Sequence, residues 1–134
     1  MDFERALRQN ENDWSSHLGM AHILVRKGEW AAAKAHLEPV LALHGNRAVP
    51  NALLGEALAG MGRLEESKAV LESAARMDEG STAATRGLVG VLARLGEWDD
   101  AVKMSGIVRR LDPNDLVTAA LLIGRPVAEE KSMD

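Results

Sequence analysis

Three glycines, Gly28, Gly62 and Gly96, stand 34 residues apart, and the same short phrase recurs around each of them. The phrases are Leu24-Val-Arg-Lys-Gly28-Glu-Trp-Ala-Ala-Ala33, Leu58-Ala-Gly-Met-Gly62-Arg-Leu-Glu-Glu-Ser67 and Leu92-Ala-Arg-Leu-Gly96-Glu-Trp-Asp-Asp-Ala101. A fixed period of roughly 20–50 residues marks a stacked repeat protein, in which no unit can bury its apolar face alone. The chain therefore reads as one helical unit written three times, over 14–47, 48–81 and 82–115.

Within each unit the apolar residues fall into columns. Met20, Leu54 and Leu88 share one column, and Leu24, Leu58 and Leu92 share another four residues on, the spacing of one helix face. This is helix A. After the glycine come Trp30, Leu64 and Trp98, then Leu37 and Leu71, then Leu43, Met77 and Leu111, which define helix B. The glycine ends helix A because a left-handed residue there satisfies the last carbonyls, and glycine adopts it without steric cost. The acids that follow (Glu29; Glu65 and Glu66; Glu97, Asp99 and Asp100) are expected in the first turn of helix B, where the helix start favours negative charge. Small residues at 21, 55, 33, 67 and 101 predict close antiparallel packing of A on B.

These residues resemble the tetratricopeptide repeat. The resemblance rests on Leu54-Gly55, Gly28-Glu-Trp30, Gly96-Glu-Trp98, Ala33, Ala101, Ala74 and Asp112-Pro113-Asn114, and it covers Trp14 to Asp115. Phe3-Glu-Arg-Ala6-Leu7, with Gln9-Asn-Glu-Asn12, is similar to the second half of one more repeat. The chain departs from the family pattern in having leucines where Tyr or Phe is usual. Gly45 and Glu79 replace the closing proline, and Val40 and Val108 stand in a column that is normally Ala. The resemblance implies an all-α fold, a right-handed α-solenoid of antiparallel helix hairpins with three 34-residue repeats and terminal half-units in one domain over 1–134. In that division 1–13 is a half repeat of helix B type, 116–124 a capping or truncated helix and 125–134 a flexible tail.

The family's A helices line a concave face that takes a peptide or a partner helix. Carried onto this chain, the inward columns give Leu18, His22, Arg26, Ala52, Glu56, Arg86 and Arg94 as candidate peptide-binding residues. Three arginines against one glutamate suggest a preference for an acidic residue or a free carboxylate. The Lys and Asn clamp with which some members grip chaperone C-termini is absent, because its columns hold Leu18, His22, Leu53, Ala83 and Gly87.

Composition narrows the function further. With 20 acids against 16 bases, a formal charge of −4 and only four aromatic residues, the chain lacks the basic stripe and stacking platforms of a nucleic-acid surface. Its longest apolar run, around Val117 to Gly124, is too short to span a bilayer, and no signal-peptide core follows Met1, so a cytoplasmic location is the default expectation. There is no cysteine. His17, His22, His36 and His44 have no metal-ligand spacing, the serines lack a nucleophile elbow, and Gly60-Met-Gly62 lacks the strand and remaining glycines of a phosphate loop. No catalytic, cofactor or metal constellation is expected, so the chain reads as a non-enzyme.

Three local features complete the reading. Pro39 lies inside helix B of the first repeat, where loss of the bond to the Ala35 carbonyl predicts a kink at a cost of about 3 kcal/mol. Trp30 and Trp98 are expected to anchor A on B, and Trp14 to be more exposed and open to a ligand. Leu116 to Ile123 holds seven apolar residues in eight, so it either caps the third B helix or invites a second copy of the chain. The leading expectation is a non-catalytic protein–protein interaction scaffold that binds a peptide or helix in its groove. The alternatives are a small acidic secretion-type chaperone, a self-assembling scaffold that forms a homo-oligomer through the C-terminal apolar segment, and an accessory domain of a larger enzyme.

Overall fold

The computed structural model describes residues 14–123; the expected N-terminal half repeat over 1–13 and the tail over 125–134 lie outside the described residues. The described residues form helices and loops with no strand: α1 (Trp14–Lys27), α2 (Trp30–His44), α3 (Ala48–Gly60), α4 (Leu64–Met77), α5 (Thr82–Arg94), α6 (Trp98–Leu111) and α7 (Leu116–Ile123). This is the all-α helical-repeat architecture that the period implied. The helices α1, α3 and α5 are A-type and α2, α4 and α6 are B-type.

The hairpin turn is built identically three times. Gly28, Gly62 and Gly96 have φ of 78°, 85° and 81°. In each turn the glycine N–H donates back to the third residue before it (Val25, Ala59, Ala93), at 3.0–3.1 Å. The next N–H donates to Leu24, Leu58 or Leu92 at 2.9 Å. That pair of bonds satisfies the last carbonyls of helix A and reverses the chain within two residues. The residue after the glycine is the N-cap of helix B, and its carbonyl accepts from Ala33, Ser67 or Ala101 at 2.9–3.0 Å. Glu29 and Glu97 thus stand at the cap, ahead of the first turn where they were expected, and make no capping bond with their side chains. The first turn of α2 has no acid, whereas α4 has Glu65 and Glu66 and α6 has Asp99 and Asp100.

Each helix packs on the next along the chain, and each A helix also meets the A helix of the following repeat. The A helices form one layer and the B helices a second. Ala21, Ala33, Leu37, Leu53 and Ala57 are the heart of the first core cluster, and Leu71, Ala74, Leu88, Val89, Ala101 and Val108 that of the second. The small residues do what their spacing predicted. A Cβ on Gly55 would lie 2.5 Å from the Leu71 side chain, so only glycine lets α3 approach α4 this closely. Ser67 Oγ donates to the Gly55 carbonyl at 2.6 Å across the same contact, so this buried hydroxyl is satisfied.

Several expectations are refined. Leu43, Met77 and Leu111 lie on their B helices as expected but are exposed (63%, 39% and 39%), because they sit on the last turn, where the chain departs for the next repeat. Pro39, where a kink is expected, lies inside α2, which continues as one α-helix from Trp30 to His44. Ala35, whose carbonyl loses its N–H partner to the proline, is an exposed residue. Trp30 packs on the first core cluster, as an anchor of A on B should, and it also reaches across the joint between repeats to Gly60 of α3, where a Cβ would fall within 2.2 Å of its ring. Trp14 is half-buried, its ring centroid 4.7 Å from that of His44 and 5.3 Å from the Arg47 guanidinium. Finally, α7 lies against both α5 and α6, not on the third B helix alone.

Candidate functional site

The A helices carry an unusual share of glycine where they face one another. Gly60 near the end of α3, and Gly87 and Gly90 on α5, leave the inner layer without side chains, so residues of the outer layer show through it. Trp30, half-buried, is reached this way at the floor of a cleft of about 330 Å³, with the buried Leu71 behind it. Val25, Ala59, Val91 and Leu121 make apolar walls, and Arg26, Glu56 and Arg94 stand at its edge. A Cβ on Gly87 would lie 3.3 Å from Leu71, whereas one on Gly90 would meet only Leu121, at 3.9 Å. The space above Gly90 is therefore open.

The three edge charges are not equivalent. Arg26 Nη2 pairs with Glu56 Oε1 at 3.0 Å, with side-chain exposures of 59% and 26%. Such an exposed pair contributes only about 0–1 kcal/mol, yet it neutralises both groups locally. Arg94 Nη1 donates to the Ala59 carbonyl at 2.9 Å. That oxygen lies in the last turn of α3, where cations are favoured. Among the described residues Arg94 meets no carboxylate, so its charge stays uncompensated at the cleft mouth.

Arg86, expected beside Arg94 in the groove, is drawn away. Its Nε and Nη2 donate to Asp115 Oδ1 at 3.2 Å and Asp112 Oδ2 at 3.4 Å, tying α5 to the loop that precedes α7. Asp115 is 4% exposed. Its Oδ2 and the Thr118 hydroxyl are both buried and make no bond to any other described group, so each is the other's natural partner. The Thr118 hydroxyl, then Arg86 and the backbone N–H of Val117 and Thr118, hold the Asp115 carboxyl below its ordinary range against the opposing effect of burial.

Of the residues singled out from sequence, Arg26, Glu56 and Arg94 come together at the cleft. Leu18 is half-buried against the first core cluster, and His22 is exposed on α1 without lining the cleft. Ala52 is 2% exposed and belongs to the core, so its methyl faces protein rather than a ligand. Sequence reasoning missed Trp30, Gly60, Leu71, Gly87, Val91 and Leu121 as cleft residues. One signal was present: Gly60 occupies the same repeat column as Arg26 and Arg94, so a bare position between two cations was readable.

A second arrangement was invisible to spacing rules. His17 of α1 and His36 of α2 bring their Nδ1 atoms within 3.1 Å, with ring centroids 5.4 Å apart. One ring must donate and the other accept. Partial burial, and secondarily the charge of His17, hold His36 below its ordinary value. Among the described residues no group of three or more His, Asp or Glu gathers as a metal site would require. At the far end, α7 leaves Leu116, Val117 and Ile123 at 78%, 59% and 84% exposure. No described helix is long and apolar enough to cross a membrane.

A two-layer stack of hairpins with an open inner cleft defines the class as a helical-repeat protein. Residues 24–74 match the tetratricopeptide repeat family model, so that stretch carries the tetratricopeptide repeat pattern. Solved structures extend the likeness of fold over most of the chain. MamA from Desulfovibrio magneticus RS-1, a structure running from residue 41 to its end, superimposes with a TM-score of 0.75 at 21% identity, covering 84% of this chain and 64% of that one. A thermophilic TPR protein of Thermus thermophilus gives 0.79 at 24% identity over 92% of this chain and 72% of that one. YrrB, a TPR protein with an unusual peptide-binding site, gives 0.70 at 21% identity over 90% and 62%. The chain thus spans less than two thirds of the length of the MamA and YrrB structures. No curated protein is significantly similar to it in sequence.

Proposed function

We propose that the protein is a non-catalytic interaction scaffold that binds a peptide or partner helix on the concave side formed by its A helices. The observation that carries this reading is the cleft itself: a half-buried Trp30 at its apolar floor, backed by the buried Leu71, and an edge of Arg26, Glu56 and Arg94. An amphipathic or extended partner needs such an apolar floor with charged edges. The fold is shared with TPR proteins, YrrB with its peptide-binding site among them, which favours the same use here. A photo-crosslinking residue placed at exposed His22 on the inner layer, and separately at exposed Lys103 on α6, tests the face. Crosslinks to a partner from position 22 alone are expected; equal capture from position 103 would sink the concave reading.

A second reading is favoured by the apolar side chains that α7 presents to solvent. In it the C-terminal segment docks on another copy of the chain. Sedimentation over a concentration range, with Ile123→Asp as control, decides between them: a concentration-independent monomer removes this reading.

A further inference from the structure

The groove reading says which face binds, and the proposal here rests on it while naming what binds. We infer that the cleft receives a protein segment bearing one bulky aliphatic or aromatic side chain next to a carboxylate. The apolar side chain enters over Gly60 and Gly90 onto Trp30, between Val91 and Leu121, and the carboxylate pairs with Arg94.

The size of the cleft selects the anchor. At about 330 Å³ it lies at the small end of ligand pockets, roughly 300–1,000 Å³, with room for a large side chain. Its floor and walls are carbon, so an apolar group is rewarded and a polar one stripped of water without a partner. The glycines make it a socket and not a flat surface, because the anchor descends past the inner helices to reach the outer layer.

Charge selects the neighbour. Arg26 is neutralised by Glu56, and Arg86 is held by Asp112 and Asp115 away from the cleft. Among the described residues that line the mouth, Arg94 alone keeps a full charge, fixed in place by the Ala59 carbonyl and with guanidinium N–H groups left over. A carboxylate there forms charge-assisted hydrogen bonds, while a lysine beside the anchor meets like charge. The expected motif is thus narrower than an acidic peptide: the carboxylate has to lie beside a large apolar residue.

The test uses synthetic Gly-Ser peptides carrying a central Leu-Asp pair, with Ala-Asp, Leu-Asn and Leu-Lys analogues, titrated into the isotope-labelled full chain and followed by NMR. The Leu-Asp peptide is expected to shift the Gly60, Gly87 and Gly90 amides and the Trp30 indole. It should bind at least about tenfold tighter than Ala-Asp, as burial of one leucine side chain implies. Arg94→Gln should erase the preference for Leu-Asp over Leu-Asn while leaving the preference for Leu over Ala. Gly90→Met should fill the socket and weaken the Leu-Asp peptide about tenfold, and its thermal midpoint should not fall, since methionine is a better helix former than glycine. Equal binding of all four peptides, or no binding at millimolar concentration, overturns the proposal. Shifts confined to His22 and Ala83 overturn it but spare the groove reading, whereas shifts confined to exposed residues of the outer layer such as Glu38 and Lys103, with Trp30 unmoved, remove both. Self-association abolished by Gly90→Met would make the occupant a second copy and would also overturn it.

Discussion

The joint between the first and second repeats and the joint between the second and third share one backbone frame and differ in where they place their bulk. At the first joint the outer layer contributes Trp30 and the inner layer Gly60; the register-equivalent residues at the second are Leu64 and Arg94. The large ring of Trp30 leaves no room for even a Cβ on Gly60. Its smaller counterpart Leu64 stands opposite a long side chain that lies back toward α3 and reaches the Ala59 carbonyl. The consequence is functional. The bare joint gives the cleft its opening and its aromatic floor, and the filled joint gives it a cation. A repeat that obeyed its own pattern at both joints would have neither, so the candidate site arises from the irregularity and not from the consensus.

The largest expected effect comes from the residue between the two joints. Leu71 is fully buried, meeting Gly55 within its own hairpin and Gly87 on the next, and Leu71→Ala should destabilise the chain by about 2–5 kcal/mol. Leu37, its counterpart one repeat earlier, is equally buried and falls in the same range. Glycine neighbours cannot collapse into the hole at position 71, however, so that loss should be the greater in urea unfolding. Parity of the two, or a cost at 71 under about 1 kcal/mol, would break the view that Leu71 bridges the joints.

A medium effect separates the joints directly. Gly60→Ala forces Trp30 aside and should cost about 1–3 kcal/mol, most of it recovered in the double variant with Trp30→Leu. Arg94→Ala, in the equivalent position, should stay within about 0.5 kcal/mol of the parent. Additive behaviour of Gly60→Ala and Trp30→Leu in a double-mutant cycle would show that the clash is not what keeps position 60 bare.

The smallest effect is confined to the first hairpin, where the His17–His36 pair has no counterpart in the other repeats. His36 is held below its ordinary value of 6.5, so the folded state binds its proton less readily than the unfolded chain does. The stability it contributes is complete above that value and is lost as pH falls through the lowered folded value. Between about pH 8 and pH 5 the thermal midpoint should therefore drop more for the parent than for His36→Gln. Identical slopes would remove the pair as a source of acid sensitivity.

Much of the molecule was legible because helical repeats are governed by local rules. The 34-residue spacing of Gly28, Gly62 and Gly96 fixed the hairpin turn, since only a left-handed residue closes the two bonds that end helix A. The small residues at 21, 55, 33, 67 and 101 fixed the close approach of A on B. Less was legible at the site. Arg26, Glu56 and Arg94 were found by column, but so were Arg86, which Asp112 and Asp115 divert, and Ala52, which the core absorbs. A column states the side of a helix, not what the neighbouring helix offers there.

The amino-acid order by itself determined the number of hairpins, their turns and the layers they form, because each depends on residues within one helix length of each other. Only the tertiary structure decided that three inner glycines would leave a cleft over Trp30, that one arginine of three would keep its charge free, and that two histidines 19 residues apart would bring their ring nitrogens within 3.1 Å. Those outcomes depend on distances between helices, which close packing sets through the volumes on both sides of a joint at once and no single stretch of chain contains.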